Sequence, residues 1–64
     1  MIILFKNVME FLIRNNTVIN GSLIETNLEL NQILLKDVLI YKNGSCVYAE
    51  YYTLNMGDIK EILK

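Results

Sequence analysis

Ile13-Arg14-Asn15-Asn16-Thr17-Val18-Ile19-Asn20-Gly21-Ser22-Leu23-Ile24-Glu25 is the stretch that chooses between helix and sheet. Ahead of it, Met9, Phe11 and Ile13 alternate with Glu10 and Arg14, the period of a half-buried strand. Asn15-Asn16 then offers a tight turn, because asparagine tolerates the positive φ such turns require. The run from Thr17 to Glu25 follows directly. Gly21 in its middle weakens a helix or a straight strand, but in a bent strand it lets the backbone kink or another chain approach. A strongly bent second strand predicts a barrel.

Downstream, Asn31 to Tyr41 reads as a third strand with apolar residues on both faces. A helix competes for the same residues: after a possible Asn27 cap, Leu30, Ile33, Leu34, Val38 and Tyr41 share one helical face. Ile2 to Arg14 can also be drawn helical. Lys42-Asn43-Gly44-Ser45 is the strongest local signal, since Asn-Gly between β-rich runs favours a hairpin. Cys46 to Leu54 holds Val47, Tyr48, Tyr51, Tyr52 and Thr53 with Glu50 as its only charge, a strand composition. Asn55-Met56-Gly57 breaks the pattern, and Asp58 to Leu63 closes the chain as a short strand or a terminal helical turn. The expected fold is all-β, a small five-stranded bent-sheet barrel formed by one domain over residues 1–64. The surplus apolar face of its third and fourth strands is expected to meet another subunit.

Composition points the same way. At 64 residues and 53% apolar, the chain has enough to bury, yet so small a domain leaves apolar burial and chain entropy near balance. One Cys and no His allow neither an internal disulfide nor a zinc site, so oligomerisation remains as the stabilising device. A net charge of −1 excludes a broad basic face for duplex nucleic acid. Lys6, Asn7, Glu10 and Arg14 interrupt the apolar start too soon for a signal sequence or a membrane span, so a soluble intracellular protein is expected. Glu25, Glu29 and Glu50 are scattered, Ser22 and Ser45 have no His, and no glycine-rich loop follows a strand. The chain reads as a non-enzyme without cofactor. Cys46 reads as an inert small apolar residue.

From Gly21 onward the spacing resembles the Sm and Sm-like (Lsm) family. Its first motif, a Gly, an apolar residue two on, an Asp, then an apolar residue, an Asn and a Leu, is matched by Gly21, Leu23, Asn27, Leu30, Asn31 and Leu34. Ile13 to Gly21 looks like the family's first hairpin, and Leu35-Lys36-Asp37-Val38 continues the likeness. The second motif, apolar-Arg-Gly followed by an apolar residue, corresponds to Leu54-Asn55-Met56-Gly57-Asp58-Ile59. There Asn55 replaces the Arg, and Gly57 matches the Gly only after a one-residue shift. The likeness covers about residues 8–63 and is closest in spacing to the D-type Sm proteins and their Lsm relatives. The family's N-terminal helix is expected to be cut to a single residual turn.

The resemblance implies a six- or seven-membered ring, hetero-oligomeric, joined by pairing of the fourth strand of one subunit with the fifth of the next. Tyr48, Tyr51, Tyr52, Leu54, Ile59 and Ile62 would lie at that joint. It also implies uridine-rich single-stranded RNA in the pore, with Asn31 reading the base edge through its carboxamide. Asn27 takes the place of the Asp that orients the loop. Glu29 takes the stacking position without a planar face, and Asn55 removes the Arg jaw, so the base pocket is weakened. Asn27, Glu29, Asn31, Asn55 and Gly57 are thus the RNA-site candidates. Splicing ribonucleoproteins or RNA processing and decay are the implied settings, in the nucleus or also the cytoplasm. No membrane and no metal are implied. Two rivals stand beside this: a scaffold of the same fold that binds protein and no RNA, and a small helical interaction module.

Overall fold

At Asn43-Gly44 the backbone turns with φ of 50° and 78°, both in the left-handed region, and the strands on either side leave in strict register. The computed structural model describes residues 8–63; the expected N-terminal helical turn lies outside the described residues. The strands are β1 (Val8–Ile13), β2 (Thr17–Asn27), β3 (Gln32–Lys42), β4 (Ser45–Asn55) and β5 (Ile59–Ile62). Short 3-10 turns at Arg14–Asn16 and Met56–Asp58 are the sole helical elements among the described residues. Asn15 and Asn16 carry positive φ, as the turn reading required. The helical reading of Leu30 to Tyr41, and that of Ile2 to Arg14 over Val8–Ile13, give way to strand, the rest of the latter lying outside the described residues: β-branched and apolar residues on both parities satisfy a sheet buried on one side and bent over itself.

All pairings are antiparallel, in the order β4-β3-β2-β1-β5. The fold is the expected all-β bent-sheet barrel, with β4 and β5 as the two ends of the strand order. The bend has identifiable causes. The β2–β3 pairing slips between Asn20 and Ser22 and again between Leu23 and Glu25. Between the first pair sits Gly21, buried so closely that a Cβ there would come within 3.0 Å of Val38 Cγ2 and 3.2 Å of Leu35 Cβ. Across from this bulge, Asp37 takes φ of 54° inside β3. The side-chain phase of β3 consequently jumps: Ile33 and Leu35 face inward, Lys36 and Asp37 are both exposed, and Val38 faces inward again.

That jump absorbs part of the apolar surplus that the sequence assigns to a partner. Phe11, Ile19, Ile33, Leu35, Val38 and Leu54 make the core, with Met9, Leu23, Ile40, Tyr52, Met56 and Ile59 among the residues packed around it. What remains outside is concentrated on β4 and the chain end, at Val47, Tyr48, Tyr51, Ile62 and Leu63, and on the β2–β3 loop, at Leu28 and Leu30.

Candidate functional site

Two turns meet at one end of the barrel. Asn27 ends β2, and its side-chain Oδ1 accepts the Leu30 backbone N–H at 3.2 Å, closing the loop back on its own start. The Asn31 N–H donates to the Leu28 carbonyl at 3.3 Å. Asn31 itself takes φ of 55°, a conformation its short amide side chain tolerates better than other L residues. Its carbonyl accepts the Met56 N–H at 2.8 Å, which pins the β2–β3 loop to the corner between β4 and β5. Gln32 Nε2 donates to Asn55 Oδ1 at 2.9 Å across the β3–β4 pair, a second tie between the same two turns. Arg14 Nε approaches Asp58 Oδ1 at 3.1 Å and links the first turn to that corner; both side chains are well exposed, so the pair adds little stability.

The fold therefore brings together Asn27, Asn31, Asn55 and, with them on the same turns, Glu29 and Gly57, although more than twenty residues separate the two groups in the chain. Their side chains divide by role. Asn27 is spent on the loop, and Asn55 is held by Gln32. Among the described residues, no hydrogen bond engages the Asn31 carboxamide, which is exposed, with a donor and an acceptor on offer. Glu29 is exposed on the loop. Gly57 has open space where a Cβ would stand and no positive φ, so nothing in its surroundings demands glycine. Sequence reasoning passed over Gln32; its signal is the pairing with Asn55, which no local pattern reveals.

The six residues expected at the subunit joint separate into three groups. Tyr48 and Ile62, each 59% exposed, and Tyr51 present apolar surface on or beside the two edge strands. Tyr52 and Ile59 are partly buried against the core. Leu54, at 2% exposure, fills the interior opposite Ile33, and its backbone lies on the edge strand β4. Cys46 is a free thiol on the surface.

Tyr48 donates its phenolic O–H to Asp37 Oδ1 at 3.0 Å, which anchors the β4 edge to the left-handed residue of β3. This hydrogen bond, then desolvation, then the charges of Asp37 and Glu50 hold the Tyr48 phenol above its usual pKa. Desolvation, followed by the neighbouring Cys46 and Glu10, raises Tyr41. Among the described residues no group of three potential ligands is placed to hold a metal ion, and no helix is long and apolar enough to cross a membrane. No protein-family model and no curated protein matches the sequence.

Proposed function

We propose that the chain is a subunit of an Sm-like ring that binds uridine-rich single-stranded RNA, with a weakened base pocket of its own. The observation that carries this reading is the junction of the two turns: the Asn31–Met56 hydrogen bond sets an unengaged carboxamide at the end of the barrel, beside the corner that bears Asn55 and Gly57. An amide that both donates and accepts suits the edge of a uracil. Glu29 and the tied-down Asn55 supply no stacking jaw, so the chain contributes recognition more than affinity.

The ring partners in this reading are other Sm-like chains, six or seven in all and hetero-oligomeric. The edges of β4 and β5 support it: among the described residues neither is paired beyond the sheet order, and unpaired strand edges flanked by apolar side chains are surfaces that need a cover. A head-to-tail joint of two different edges closes into a ring when its rotation permits. The setting proposed is splicing or RNA processing and decay, in the nucleus or also the cytoplasm.

A scaffold of the same fold that binds only protein is the second reading, favoured by the exposed Glu29 carboxylate, which repels phosphate. Replacement of Asn31 by Ala separates them. In the RNA reading it weakens uridine-rich RNA binding by the assembled ring several-fold, and in the scaffold reading RNA binding is absent before the substitution as after it.

A further inference from the structure

We propose a second contact for single-stranded RNA on the outer face of β3 and β4, running away from the loop site along three cross-strand pairs. It rests on the RNA-binding reading above. The register sets Gln32 opposite Asn55, Leu34 opposite Thr53 and Lys36 opposite Tyr51. Alternate residues of a strand share a face, and these six stand on the side away from the buried Ile33, Leu35 and Leu54. Successive pairs are about 7 Å apart along the strands, comparable to the step between bases of an extended single strand. The row begins at the Gln32–Asn55 hydrogen bond, which is also part of the loop site.

Its middle is a shallow hollow of about 140 Å³ lined by Glu25, Asn27, Gln32, Leu34 and Thr53. That volume accommodates one pyrimidine base. Leu34 offers an apolar floor, while the amides, the hydroxyl and the carboxylate around it offer a mixed donor and acceptor rim for a base edge. Glu25 selects among ligands: a carboxylate here accepts from a base N–H and repels a phosphate, so the base enters the hollow and the backbone stays outside. At the far end Lys36 Nζ lies 5.9 Å from the centroid of the Tyr51 ring. Lys36 makes no ion pair among the described residues, and Tyr51 is half exposed. The ammonium stands over one face of a half-exposed ring, so a charge for a phosphate and an aromatic group for a base lie together at this end of the row.

The test uses the tagged protein purified with its partners and two oligouridylates, a short one that fills the loop site and a longer one that extends past it. Tyr51→Leu, which keeps apolar bulk and removes the aromatic face, is expected to weaken the long oligouridylate about ten-fold and leave the short one unchanged. Lys36→Gln, a surface change that spares the fold, is expected to reduce the salt dependence of long-oligouridylate binding by about 0.7 in log-log slope. Equal binding of the long oligouridylate by wild type and both variants overturns the outer contact. If Asn31→Ala meanwhile weakens the short oligouridylate, the loop site stands and only this inference falls; if the wild-type assembly binds neither oligouridylate, both fall.

Discussion

The carbonyl of Asn31 and the backbone N–H of Met56 meet at 2.8 Å, joining a loop between β2 and β3 to the corner between β4 and β5. The β2–β3 loop is a hairpin tip closed between Asn27 and Gln32 by bonds of its own, and this bond fixes it to the second turn. The Asn31 carbonyl thereby holds its residue, and the exposed side chain on it, beside the β4–β5 corner. Asn27 completes the arrangement by holding the Leu30 N–H.

Loss of the Asn27 side-chain acceptor should loosen the loop without unfolding the barrel. Asn27→Ala removes one exposed hydrogen bond, at a cost of about 0.5–1.5 kcal/mol. Amide hydrogen exchange should quicken at Leu30 first and at Met56 next, while the amides of β1 and β2 near the core keep their protection. Uniform acceleration across all strands would mean that Asn27 supports the whole fold.

The bend at Gly21 should resist any side chain. Gly21→Val places branched carbon against Val38 Cγ2 and Leu35 Cβ, which already stand within 3.2 Å of where a Cβ would be. Overpacking of this kind costs about 1–3 kcal/mol, read as a lower urea midpoint. Gly21→Ala combined with Val38→Ala should cost less than the sum of the two single substitutions, because the shorter side chain makes room for the added Cβ. A Gly21→Val protein as stable as the parent would show that the strand bends elsewhere.

Leu54 and Ile62 should part company on mutation. Leu54→Ala empties a core position and should cost about 2–5 kcal/mol. Ile62→Asp, at an exposed position of the last strand, should change the stability of the isolated subunit by no more than about 0.5 kcal/mol yet abolish assembly. Val47→Asp on the opposite edge should do the same. Native mass and thermal unfolding on each variant make the comparison.

The Tyr48–Asp37 hydrogen bond should fade at alkaline pH. The folded-state pKa of Tyr48 is raised above the ordinary 10.0 by the Asp37 carboxylate, because the bond needs the phenol proton. A raised pKa means that the folded form holds the proton more tightly than the unfolded chain. Its stabilising contribution is therefore complete below about pH 10 and is lost as pH rises through the folded-state value. The stability difference between wild type and Tyr48→Phe should be constant from neutral pH to about 9 and shrink above 10. A difference that grows with pH would reverse the assignment.

The parts of this molecule legible in the sequence are those decided by a few adjacent residues. Asn43-Gly44 specifies its turn because both positions need positive φ, and Asn15-Asn16 does so for the same reason. Gly21 announces a bend because a glycine inside a strand-forming run weakens it unless the backbone kinks there. The inward setting of both Leu35 and Val38 is not legible in the sequence, because Asp37 shifts the side-chain phase of β3 between them. An aspartate in the left-handed region leaves no mark in a pattern of apolar alternation. The meeting of Asn31 with Met56 was legible only through motif spacing, and the Gln32–Asn55 tie not at all, since it depends on a register set by the distant hairpin.

The central claim, a ring subunit that carries RNA, is tested most directly by the native mass of the tagged protein purified from its source, recorded before and after nuclease treatment. The account predicts an assembly of six or seven small subunits that loses the mass of an RNA on digestion. An assembly whose mass nuclease leaves unchanged, or a lone chain, would contradict it.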